Sequence, residues 1–96
     1  MAQIPIRCNV ASSVVLEHGA AKPRMLLLRR SKQPLLGEWC HVAGGIEVGE
    51  AAWQTVLREI REETGLTVLR LFSADCNEQF YEARRNVFTV VPVFVS

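Results

Sequence analysis

Gly44-Gly45-Ile46-Glu47-Val48-Gly49-Glu50, followed after seven residues by Arg58-Glu59-Ile60-Arg61-Glu62-Glu63-Thr64-Gly65-Leu66, decides how this chain is read. The first part is a loop punctuated by glycines. The second reads as a helix that stops at Gly65, a residue suited to the left-handed turn at a helix end. At roughly 100° per residue, Ala52, Trp53, Val56, Leu57 and Ile60 share one apolar sector, the face that packs on a core.

Glu59, Glu62 and Glu63 crowd one edge of that sector at i, i+3 and i+4, with Glu63 projecting between Ala52 and Val56. Like charges at this spacing cost about a few tenths of a kcal/mol per pair. They also occupy the last turn, where the helix dipole disfavours anions. Arg58 and Arg61 offset part of the repulsion but do not reach all three carboxylates. Two explanations compete. One is a solvated acidic helix laced with arginine pairs. The other is a hard divalent cation that takes carboxylate oxygens and keeps positions open for water and phosphate oxygens.

The whole pattern favours the second. Gly44, five residues, Glu50, seven residues, Arg58-Glu59-Ile60, one residue, Glu62-Glu63, one residue, Gly65-Leu66 resembles the Nudix box at every position which that motif specifies. So many fixed identities make a far more specific signal than a lone glycine pattern. The resemblance implies an α/β/α sandwich with a mixed sheet. It implies hydrolysis of a nucleoside diphosphate linked to another group, with Mg²⁺ as the working metal and Mn²⁺ as a substitute.

Carried over by position, the resemblance makes Glu59, Glu62 and Glu63 the metal ligands, directly or through water. Glu50 completes the ligand set or a hydrogen-bond network, and Arg58 holds the glutamates in place. Glu59, Arg58 and Glu62 form the catalytic set, with Glu59 the general base if none follows Ser96. Many members carry Pro-Gly-Gly and use the first glycine's carbonyl as a metal ligand. Here Val42 and Ala43 stand at the proline and that glycine, so Ala43 serves if its backbone suits a non-glycine residue. Gly44 and Gly49 are expected to supply backbone bends, and Gly65 the helix stop. Glu47 matches a glutamate frequent in the loop. Trp39, after Gly37-Glu38, is similar to the family's lead-in, where a tryptophan packs under the loop, and it also reads as a core aromatic.

Arg29, Arg30, Arg84 and Arg85 are candidates for contacting substrate phosphates or base. Glu78 joins the candidate substrate-binding set as one of the few acids after the box, with Glu82. His18 and His41 read as structural, since neither has a second ligand at metal spacing. The first functional expectation is a pyrophosphohydrolase that splits a nucleoside triphosphate-like substrate into monophosphate and pyrophosphate. The Val-Ala-Gly-Gly form looks closer to members acting on dihydroneopterin triphosphate and deoxynucleoside triphosphates. The alternatives are another nucleoside diphosphate-linked compound (a dinucleoside polyphosphate, sugar nucleotide or NADH) and a non-catalytic, nucleotide-sensing module. An eroded box would favour the sensor, and this box is intact.

A net charge of +1 gives no basic footprint, so a small-molecule partner is expected and a nucleic-acid polymer is not. The longest apolar run falls short of a membrane span, and no signal pattern opens the chain. Three cysteines without a CxxC pair support neither a zinc site nor a disulfide framework, which suits buried reduced thiols and a cytoplasmic protein. Residues 1–96 are expected to be a single domain that is incomplete at its C-terminus, lacking the family's last strands and second helix. Either the chain is a segment or a partner completes it, as in a homodimer, because an uncovered apolar sheet face invites association.

Strands are expected over Ile4–Leu16 and Arg24–Arg30, paired antiparallel through a turn. A loop broken by Pro34 and Gly37 leads to a short strand, Trp39–Val42. After the helix, Leu66–Ala74 reads as a strand, Asp75–Gln79 as a polar connection and Phe80–Asn86 as a turn. Val87–Val95 is the last strand, in which Pro92 implies an edge position or a bulge.

Overall fold

The computed structural model describes residues 1–17, 19, 21–33 and 35–96. His18 and Pro34 lie outside the described residues. Nine elements follow in order: β1 (Ile6–Arg7), β2 (Val10–Leu16), β3 (Met25–Leu26), β4 (Leu28–Arg29), β5 (Trp39–Cys40), β6 (Val42–Gly45), α1 (Ala52–Thr64), β7 (Phe72–Glu82) and β8 (Val87–Val95). No helix among them is long and apolar enough to cross a membrane.

The sheet is mixed and is built around β8. On one side β8 pairs antiparallel with β7, from Glu82↔Val87 to Phe72↔Val95. On the other it pairs parallel with β1 at Ile6↔Phe88 and with β2 at Ser12↔Val93. The outer edge of β2 is then shared. β6 pairs with its first half, Val10↔Gly45 to Ser13↔Val42, and β3 with its end, Val15↔Leu26. β4 and β5 form a separate antiparallel pair, Leu28↔Cys40 and Arg29↔Trp39.

Several expectations hold. The returning strand after residue 23 does pair antiparallel with β2, and the Glu17 N–H donates to the Arg24 carbonyl at 2.9 Å. The first strand is interrupted at Cys8-Asn9, where the Asn9 carbonyl turns aside to accept from the Ile46 N–H at 2.9 Å. The chain after the helix differs more. Leu66–Arg70 has no regular structure, and β7 begins at Phe72 and runs through the expected polar connection to Glu82, so the expected turn is confined to residues 83–86. β7 is exposed along nearly all its length, polar and aromatic residues alike, and Asp75, at φ 54°, takes up a register shift between Ser73 and Asn77.

Pro92 is not on an edge strand. It pairs with Asn77 at the end of that shift, and on its other side it falls between the β1 and β2 pairings. A residue without an N–H is tolerated inside a sheet where the ladder is already broken.

α1 packs on β6 and β2. Val56 and Ile60 are buried with Ala11 and Val42, and Val15, Leu28, Ile46, Ala52 and Phe94 close around them. Trp53 does not join this face as expected and is half exposed. Thr55 takes a fully buried place, for a reason that lies in the adjoining loop. The helix has no side-chain cap at Ala51, so the Gln54 Oε1 accepts from the Ala51 N–H at 2.7 Å. It ends at Gly65, φ 75°, whose N–H donates to the Arg61 carbonyl at 2.9 Å.

Candidate functional site

The site forms where β6 and the loop after it run along the start of α1. Glu47 to Glu50 is a tight turn: the Glu50 N–H donates to the Glu47 carbonyl at 3.0 Å, and Gly49 sits at φ 82°. The turn aims the Glu50 carboxylate back at the helix. Oε1 accepts from the Thr55 hydroxyl at 2.6 Å and from the Glu47 N–H at 3.2 Å. This contact accounts for the burial of a threonine on an otherwise apolar face.

Arg58 then binds the glutamates together. Its Nε and Nη2 donate to the two oxygens of Glu50 at 2.9 and 3.0 Å, a forked pair that fixes both groups. Nη2 also donates to the Gly45 carbonyl at 2.9 Å. Nη1 reaches Glu59 at 2.8 Å and Glu62 at 3.3 Å, and Glu47 lies 3.8 Å away. The Arg58 bonds, with the Thr55 hydroxyl second, lower the Glu50 pKa from 4.5 to about 2. Glu50 in turn is the main cause that raises the pKa of Arg58. One guanidinium faces four carboxylates here, which leaves a surplus of negative charge.

Gly44 is not the backbone bend that the sequence suggested. It lies within β6, opposite Ala11, and its φ is not left-handed. A Cβ there would lie 2.2 Å from Glu59 Cδ and 2.3 Å from Oε1, so the missing side chain makes room for that carboxylate. Ala43 has ordinary strand backbone, paired with Ser12, and therefore needs no glycine.

Beside this cluster opens a cavity of about 440 Å³. Its walls include Arg29, Arg30 and Lys32, together with His41, Ala43 and Glu63. The three box glutamates thus divide: Glu59 and Glu62 join Arg58, and Glu63 turns to the cavity. Arg61 is exposed. Arg29 also donates from Nε to the Gly37 carbonyl at 3.2 Å and stands 6.0 Å from the Trp39 ring centroid. Trp39 is 63% exposed and does not pack under the loop as expected. Glu78 is on β7 opposite Val91 and does not line the cavity. The exposed thiols of Cys8 and Cys76 correct the expectation of buried ones, and Cys40 is half-buried with Sγ 3.4 Å from the Leu28 carbonyl.

The donors suit a hard divalent cation by their chemistry: carboxylate oxygens with the backbone carbonyl of Ala43, inside β6. Among the described residues no three acid, histidine or cysteine side chains already converge as a metal cage, because Arg58 occupies their midst.

A sequence profile of the NUDIX domain matches residues 9–95. The chain belongs to the Nudix family. Over 78 residues it is 37% identical to the asymmetrical bis(5′-nucleosyl)-tetraphosphatase of Caenorhabditis elegans, covering 79% of this chain and 55% of that protein. The crystal structure of a MutT NUDIX hydrolase from Burkholderia pseudomallei superposes with a TM-score of 0.77 at 26% identity, covering 95% of this chain and 66% of that one. Shewanella oneidensis NrtR, crystallised with a 27mer DNA, superposes with a TM-score of 0.74 at 25% identity over 91% of this chain and 40% of NrtR. The Nudix chain spans between 15% and 55% of the lengths of the curated relatives it matches. Nudix hydrolases generally use divalent metals.

Proposed function

We propose that this chain carries the active site of a magnesium-dependent hydrolase that opens a phosphoric anhydride in a nucleoside polyphosphate. The observation that carries the reading is the surplus of carboxylate over guanidinium at the edge of α1, next to a cavity with three cationic side chains. Glu59, Glu62, Glu63 and the Ala43 carbonyl would hold the cation, with Glu50 fixing Arg58 behind them. The metal's part is to neutralise phosphate oxygens and to bring the pKa of a bound water towards neutrality.

The chain's own residues do the rest. Arg58 holds Glu59 and Glu62 in register, and Gly44 keeps the space that Glu59 fills. Glu59 would take the proton of the attacking water. Arg29, Arg30 and Lys32 draw the polyphosphate into the cavity. Positioning and electrostatics of this kind supply most of the rate in phosphoryl transfer. A nucleoside triphosphate would leave as monophosphate and pyrophosphate. A dinucleoside polyphosphate is the second reading, supported by the worm tetraphosphatase. Cytoplasmic residence goes with either, and the free thiols support it.

Glu59→Gln and Glu62→Gln are each expected to lose at least about 100-fold in magnesium-dependent product release with an unchanged circular dichroism spectrum. Activity retained in either would refute the ligand assignment. Chromatography of products from nucleoside triphosphates and dinucleoside tetraphosphates separates the two substrate readings. Nucleotide binding by calorimetry without any turnover would point instead to a sensing module.

A further inference from the structure

The β4–β5 pair stands apart from the main sheet and carries an indole that the core does not use. Trp39 lies directly opposite Arg29, so the two side chains leave the pair on the same face. The Arg29 Nε donates to the Gly37 carbonyl at 3.2 Å, which fixes the guanidinium 6.0 Å from the ring centroid. A cation over an indole face attracts it and holds the ring in one orientation. It covers that face alone. Trp39 remains 63% exposed, so the opposite face of the ring is open to solvent. An indole left in water forgoes the large gain of burying it.

The place of the ring says what would cover it. Arg29, across the ladder, and Cys40, next along the chain, both line the cavity beside the box glutamates. The indole therefore stands at the cavity rim, joined to its wall by Arg29. A planar ring already held in place offers a stacking surface to another flat aromatic group at little cost in ordering. A nucleotide is the ligand that carries a flat ring at one end and phosphates at the other.

We propose that Trp39 is a specificity-determining residue whose open ring face stacks on the nucleobase of a substrate with its phosphates in the adjoining cavity. That the ligand is a nucleoside polyphosphate rests on the hydrolytic reading above.

Fluorescence and calorimetry test this together. Trp53, half exposed on α1 and outside the site, is the other tryptophan, so Trp53→Phe leaves Trp39 as the sole emitter. In that background, α,β-methylene ATP with magnesium is expected to change the Trp39 emission saturably. Inorganic tripolyphosphate, which has no base, is expected to leave it unchanged. Trp39→Ala should weaken binding of the analogue about tenfold or more, and raise the KM for ATP in step with kcat within about twofold, while tripolyphosphate binds as before. Trp39→Phe keeps a ring and should stay within about threefold of wild type. If the alanine variant fails to fold, Trp39→Leu takes its place. No emission change with the analogue, unchanged affinity without the ring, or equal loss for analogue and tripolyphosphate each overturns the proposal. Turnover of ATP by wild type with any of these results sinks this inference alone, and the expected binding without turnover sinks only the hydrolytic reading.

Discussion

Replacing Gly44 with alanine puts a methyl group where Glu59 already lies. The new Cβ would sit 2.2, 2.3 and 2.4 Å from Glu59 Cδ, Oε1 and Cγ, far inside van der Waals contact. β6 is held by pairing with β2 and cannot retreat, so the glutamate must move. Clearing ordinary contact needs a shift of about 1 Å or more, and a displacement of 1 Å in a positioned catalytic group costs about 100-fold in rate. The stability cost should be small by comparison. Over-packing of a site typically costs about 1–3 kcal/mol, and the lower end applies because a glutamate side chain can swing toward solvent. For a chain of this size that is a fall of about 4–8 °C in melting temperature.

Gly45→Ala is the matched control. Its Cβ would meet only the Asn9 carbonyl at 3.9 Å, an ordinary contact. Steady-state release of pyrophosphate in magnesium, beside thermal unfolding followed by circular dichroism, distinguishes the two variants. Equal activity in Gly44→Ala and wild type, or an equal loss in both alanine variants, would refute the claim that Gly44 exists to admit Glu59.

Ile60 is fully buried, and Ile60→Ala should cost about 2–5 kcal/mol in urea unfolding, a large part of the stability of a domain this small. The Glu50 pKa is lowered on folding, so its contribution is complete above 4.5 and is lost as pH falls towards about 2. Glu50→Gln should accordingly flatten the pH dependence of unfolding within that window, read by denaturation at successive pH values. Gly65→Ala forces a side chain into the left-handed region at φ 75° and should lower stability by about 1 kcal/mol, measured by the same unfolding assay.

The helix and its acidic edge were legible because their signals are local. Apolar spacing placed Val56 and Ile60 in the core, and Gly65 marked the end within one residue. The roles that depend on a partner distant in sequence were not legible. Gly44 looked like a backbone bend because its neighbour across the gap, Glu59, is fifteen residues on in the chain, and nothing between them announces the approach. Trp39 looked like core by residue type, yet a guanidinium rather than apolar side chains faces its ring. Phe72–Glu82 carries few of the branched residues that mark strands and is one because β8 offers it a long edge.

β8, at the centre of the sheet, follows every strand it pairs with, and this has a bearing on synthesis. Ser13 and Ser96 share a 2.9 Å hydrogen bond across 83 positions; among the described residues β1 pairs with β8 alone, and β2 meets β8 along one edge and β3 and β6 along the other. A growing polypeptide must therefore carry β1 and one edge of β2 unpaired until β8 has emerged from the ribosome. Loop closure over such a distance is slow, so the sheet is expected to close only once β8 is available, and until then the valines on the open edge of β2 depend on whatever shields them in the cell.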